Sequence, residues 1–192
     1  MLVTLTRRPD GSTLATIRRG DGVVVGLPGH DRRHRIPHDL AHLVAERELG
    51  IRDGVFGSIA SGGMFDNMHV VAGRPRHDAA ERSKRLLDSN KRWLGIAELM
   101  ADAVQHAAES GIPADAAFAA RRFWTAFNTE PFPWADADLA GAVTVLIGLA
   151  ETFGDTGKLE MPWPARLTKP VPPPSTGVHR NRRGRTTTRA RS

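Results

Sequence analysis

Residues 36–50, Ile36-Pro37-His38-Asp39-Leu40-Ala41-His42-Leu43-Val44-Ala45-Glu46-Arg47-Glu48-Leu49-Gly50, carry the clearest helix signal in the first half of the chain. Pro37 suits a first helical position, where its missing N–H would be unbonded anyway. Asp39 falls in the first turn, at the positive end of the helix dipole. Gly50 can take the left-handed conformation that ends many helices. At about 100° per residue, Leu40, Leu43 and Val44 share one face. His38, His42 and Glu46 form a row on the opposite face, flanked by Asp39. This helix marks the point where a β-type beginning gives way to a helical remainder, so the fold class reads as α+β.

The polar row is the arrangement that can carry chemistry. Two histidines at i and i+4 can hold one metal ion from a single helix, and His38-Asp39-Leu40-Ala41-His42 resembles the H-E-x-x-H motif of zinc proteases with Asp in place of Glu. In those enzymes the Glu acts as general base on water at the metal. Asp39 has the same chemistry on a side chain one methylene shorter. The likeness spans five residues and implies no kinship. It makes His38 and His42 candidate ligands for zinc or another divalent metal, and Asp39 or Glu46 the candidate catalytic base. Glu46 lies roughly 12 Å along the axis from His38, too far to share one ion, so a third ligand is expected from Asp66, His69, His77 or Glu81. Two other readings stand beside this one. With eight histidines in the chain, a chance pair at this spacing is common, and His38 can simply pack near the helix start. A histidine can also act as acid or base without a metal.

The overall charge of +6 is unevenly spread. Seven of the 27 basic residues and none of the 21 acidic ones fall in residues 167–192, leaving 20 against 21 in residues 1–166. The main part of the chain therefore has no net attraction for nucleic acid. The chain has no cysteine, which removes disulfides, thiol nucleophiles and thiolate metal sites and is in keeping with a cytoplasmic protein. The first residues, MLVTLTRRPDGS, lack a signal-peptide apolar core. The longest apolar run, Leu139 to Ala150, is too short for a membrane span, so no membrane association is expected.

Three short runs rich in Val, Leu, Ile and Thr open the chain: Leu2 to Arg7, Ser12 to Arg18 and Gly22 to Gly26. The turn signals Pro9-Asp10-Gly11 and Gly20-Asp21-Gly22 separate them, which predicts an antiparallel meander. Residues 27–35 read as a polar loop. Between Gly50 and Gly73, six glycines predict either a loop lining a pocket beside His38 or a tightly packed connection. No phosphate-loop spacing and no nucleophile elbow occur.

The second half reads as helices. One runs from Asp78 to Ser110, with a break expected near Asp88-Ser89-Asn90 or Gly95. A second covers Ala114 to Asn128, with Phe118, Phe123, Trp124 and Phe127 as anchors. After the stiff Glu130-Pro131-Phe132-Pro133-Trp134 linker, an apolar helix from Asp136 or Asp138 to Phe153 is expected at the centre of the bundle. Lys158 to Arg166 suits an edge strand.

The expected architecture is one globular α+β domain, residues 1–166, with an N-terminal antiparallel β-meander packed on a bundle of four to five helices. Residues 167–192, rich in Pro and Arg, cannot bury a core and read as a disordered basic tail. Three functions remain open. The first is a soluble intracellular binding or scaffold protein, a homo-oligomer among the possibilities. The second is a metal-dependent hydrolase built on the histidine pair. The third is weak, salt-sensitive contact with nucleic acid or an acidic surface through residues 167–192, with Thr186, Thr187 and Thr188 as phosphorylation candidates.

Overall fold

In Leu2–Arg7 (β1) and Thr13–Arg18 (β2), alternate residues are buried, with Val3, Leu5, Thr13, Ala15 and Ile17 turned to the core. That period of two gives a sheet with one packed face and one wet face. Val24–Gly29 (β3) completes an antiparallel meander, with Ile17 opposite Val25 and Val3 opposite Ile17. The third strand starts two residues later than its sequence predicts. The turn carries on through Val23, whose N–H donates to Asp21 Oδ1 while its carbonyl accepts from Arg19 N.

The computed structural model describes residues 1–29 and 34–169. Part of the loop read at residues 27–35, and the expectations of a disordered tail and of phosphorylation at Thr186–Thr188, lie outside the described residues. Residues 167–169, assigned to the tail from sequence, belong to the packed structure. Leu167 is buried at the end of the 3₁₀ turn Ala165–Leu167, and Lys169 N–H donates to Ser61 Oγ.

Two further strands flank the meander, giving the order β4-β3-β2-β1-β5. Lys158–Pro162 (β5) pairs antiparallel with β1, as the edge strand its prolines predict. His69–Ala72 (β4) pairs with β3 and lies in the glycine-rich stretch, where the sequence shows no strand. All four β4 residues are exposed, so no apolar alternation marks them. The His69 ring lies over Gly26, where a Cβ would sit 2.7 Å from it and push that exposed side chain aside.

His38–Glu48 (α1) follows Pro37, which serves as N-cap rather than first helical residue. Its end is closed by Gly50 at φ +69 and by the bond from Ile51 N–H to Glu46 O, the six-to-one contact of a Schellman motif. Val55–Ala60 (α2) is a short helix within the glycine-rich stretch, and no residue of that stretch lines the cavity beside His38, so the packed-connection reading holds there. Ala79–Ser110 (α3) runs unbroken for 32 residues. The polar triplet expected to break it is satisfied in place: Ser89 Oγ donates to Leu86 O, and buried Asn90 donates to Ser58 Oγ. Ala114–Phe127 (α4) and Asp136–Thr156 (α5) complete the bundle. In α4, Trp124 is the buried anchor, whereas Phe118 is 67% exposed.

The central helix is α1, not α5. Every residue from Leu40 to Glu46 is buried, with α2, α3 and α5 packed around the helix. By length and composition α5 is apolar enough to cross a membrane. In the fold it buries one face, Leu139, Ala142, Val143, Leu146 and Phe153, against α1, α3, α4 and β5. One continuous core joins the sheet and the helices.

Candidate metal centre

Because α1 is enclosed, the face that carries the polar row is pressed against α3. His38 and His42 stand one turn apart there, with rings edge to face and centroids 4.7 Å apart. Glu98 of α3 reaches between them. His38 Nε2 lies 3.1 Å from Glu98 Oε1, and His42 Nε2 lies 3.0 Å from Glu98 Oε2. Ligand atoms of the three residues fall within 4.8 Å of one another, a group that can hold a metal ion.

The far nitrogen of each ring is also engaged. His38 Nδ1 is 2.8 Å from Gln105 Oε1, and Gln105 Nε2 donates to Ile36 O at 2.7 Å. The Ile36 carbonyl fixes the amide so that its oxygen faces His38, which makes His38 Nδ1 the donor. His42 Nδ1 is 3.2 Å from Glu46 Oε1, again an acceptor. Both rings therefore carry a proton on Nδ1 and aim Nε2 at Glu98. Tying the outer nitrogen of a ligating histidine to an acceptor is how proteins set ring orientation and tautomer at metal sites.

Without an ion, protons on Nε2 link the rings to Glu98. The Glu98 bond pushes the His38 pKa up against the opposing effect of burial. Burial acts to lower the His42 pKa, but the bonds to Glu46 and Glu98 outweigh it and push the value up to about 9. The two histidines in turn hold the Glu98 carboxyl well below the usual carboxylate range. An ion at this point would replace those protons.

The centre is closed behind and open in front. His42 is 4% exposed and Glu46 is fully buried, whereas the Glu98 side chain is 55% exposed. A cavity of about 460 Å³ opens on the His38 side. Its walls include Asp102, His106, Ala119 and Phe123, and Asp102 Oδ1 comes within 4.0 Å of His38 Nδ1. Further along α3, Glu109 accepts from Ile36 N–H and meets His34 Nδ1 at 3.0 Å, pinning the approach to α1.

The structure brings His38 and His42 together and separates the other two candidates from the open side. Asp39, one residue and about 100° round from His38, is turned to the sheet, where Thr13 Oγ1 donates to it at 3.4 Å. Glu46 accepts the N–H groups of Val55, Phe56 and Gly57 at the start of α2, at 2.8, 2.9 and 3.4 Å. Among the described residues, Asp66, His69, His77 and Glu81 are not part of the group; His69 lies on the exposed edge strand instead. Sequence reasoning missed Glu98. Its signal is the polar row Glu98, Asp102, Gln105 and Glu109, spaced by three or four residues through the Ala-, Met- and Val-rich half of α3. No protein-family model, curated protein or solved structure matches the chain.

Proposed function

We propose that the protein binds one divalent transition-metal ion, zinc foremost, through His38, His42 and Glu98, and uses it in hydrolysis. The observation that carries this reading is the convergence of two Nε2 atoms on one carboxylate, with each Nδ1 tied to an acceptor behind it. Two histidines and a glutamate form a known catalytic zinc set that leaves one position for water or substrate. A bound ion would supply Lewis acidity and lower the pKa of water. Asp102, which lines the cavity with Oδ1 4.0 Å from His38 Nδ1, is our candidate to accept a proton, the role for which the sequence offers Asp39 or Glu46. Phe123 and Ala119 give the cavity an apolar wall for a substrate group.

Elemental analysis of protein purified without a histidine tag tests the first half. About one ion per chain is expected, lost in His38→Ala/His42→Ala and in Glu98→Ala. Chromogenic ester, amide and phosphate substrates test the second. Activity should fall on chelation and return with zinc.

A binding or scaffold role without chemistry has its own support, because protonated His38 and His42 satisfy both Glu98 oxygens with no ion. That reading gains if the protein carries no metal and its melting temperature does not move when zinc is added.

A further inference from the structure

We propose that Glu46 is the positioning residue of this centre, holding His42 in the one tautomer that can take a metal. The inference rests on the metal reading above and concerns how the site is built. Glu46 is 0% exposed, and its carboxylate is fixed from three directions. Oε1 accepts from Val55 N–H at 2.8 Å and faces His42 Nδ1 at 3.2 Å. Oε2 accepts from Phe56 N–H at 2.9 Å and Gly57 N–H at 3.4 Å. Gly54 closes over the group: a Cβ there would lie 2.5 Å from the Glu46 carboxyl carbon and 2.9 Å from Ala97 Cβ. The carboxylate has no room to swing.

A group that receives three backbone N–H bonds is held as an acceptor, so the proton between it and the ring belongs to His42 Nδ1. The lone pair of neutral His42 is then on Nε2, facing Glu98 and the open side. The backbone of α2, through Glu46, thereby decides which nitrogen of His42 is available. This also accounts for α2 having no side-chain cap of its own: its first N–H groups are satisfied by a residue of α1.

Glu46→Gln separates shape from chemistry. With the amide oxygen in the Oε2 position it still accepts from Phe56 and Gly57 N–H, while the NH₂ in the Oε1 position gives up the Val55 bond, faces His42 Nδ1 and drives the proton to Nε2. Zinc affinity is measured by competition with a chelating indicator in the wild type, in Glu46→Gln and in Ile17→Ala, which removes a fully buried side chain of β2 that makes none of the bonds to Glu46. We expect roughly a 10–100-fold loss in Glu46→Gln, the range for acceptors behind a ligand. In Ile17→Ala the melting temperature should fall and affinity should hold. In the zinc-loaded wild type, ¹⁵N NMR should show metal on His42 Nε2 and a proton on Nδ1. Wild-type affinity in Glu46→Gln, equal loss in Ile17→Ala, or metal on His42 Nδ1 would each overturn the inference and leave the metal site standing. A wild type that binds no zinc would take down both.

Discussion

His42 is held between two acceptors, and its protonation decides when a metal can enter. In the metal-free protein its pKa is pushed up to about 9, against about 6.5 in an unfolded chain. A raised pKa contributes stability that is fully present below the unfolded value and is lost as pH rises toward 9. The Glu98 carboxyl is shifted the other way, so its contribution is present above the ordinary carboxylate range and is lost as pH falls. The proton-linked network is therefore strongest in the mildly acidic window between the two unfolded values. A metal must displace those protons, so its affinity follows the opposite trend. Zinc binding should strengthen by about tenfold per pH unit for each proton released, up to pH about 9. Competition titrations at pH 6, 7 and 8 measure this, and a flat profile would argue against His42 as a ligand. Asp102 has a separate signature. Asp102→Asn should retain zinc while hydrolytic turnover falls by roughly 10²-fold or more, the scale of losing a general base. Lost zinc would instead make Asp102 part of the metal-holding structure.

The pairing of α1 with α3 explains what the sequence discloses and what it hides. His38 and His42 are legible because they share one helix, so their geometry follows from a spacing of four. Glu98 lies 56 residues beyond His42, and only the register of two packed helices brings it there. Asp39 and Glu46 are on the expected helix at the expected angles, yet they serve the sheet and α2, because an enclosed helix has no idle polar face. A matching test lies in the glycine above Glu46. Gly54→Ala should destabilise the protein by about 1–3 kcal/mol through overpacking, since the added methyl would meet the Glu46 carboxyl. Thermal or urea unfolding measures the loss. An unchanged stability would mean that the α1–α2 contact gives way more readily than its spacing implies.

For the whole molecule, period-two strands, capped helices and a proline-marked edge made most of the architecture readable. The exposed edge strand β4 was not readable, because it lacks apolar alternation. Nor was the centrality of α1, because its burial depends on three different helices, α2, α3 and α5, packing around it. Residues 170–192 hold six basic residues and no acidic ones. Deleting those residues should leave the melting temperature and metal content unchanged while abolishing any salt-sensitive nucleic-acid binding. Filter binding at low and moderate salt would test this, and retained binding would place the contact on the folded part. The pairing of β5 with β1 has a consequence for biosynthesis. Leu5 waits opposite an empty lane until Leu159 has been made, and Trp163 N–H then bonds to Met1 O. A ribosome must deliver nearly the whole folded part before the first strand gains its outer neighbour.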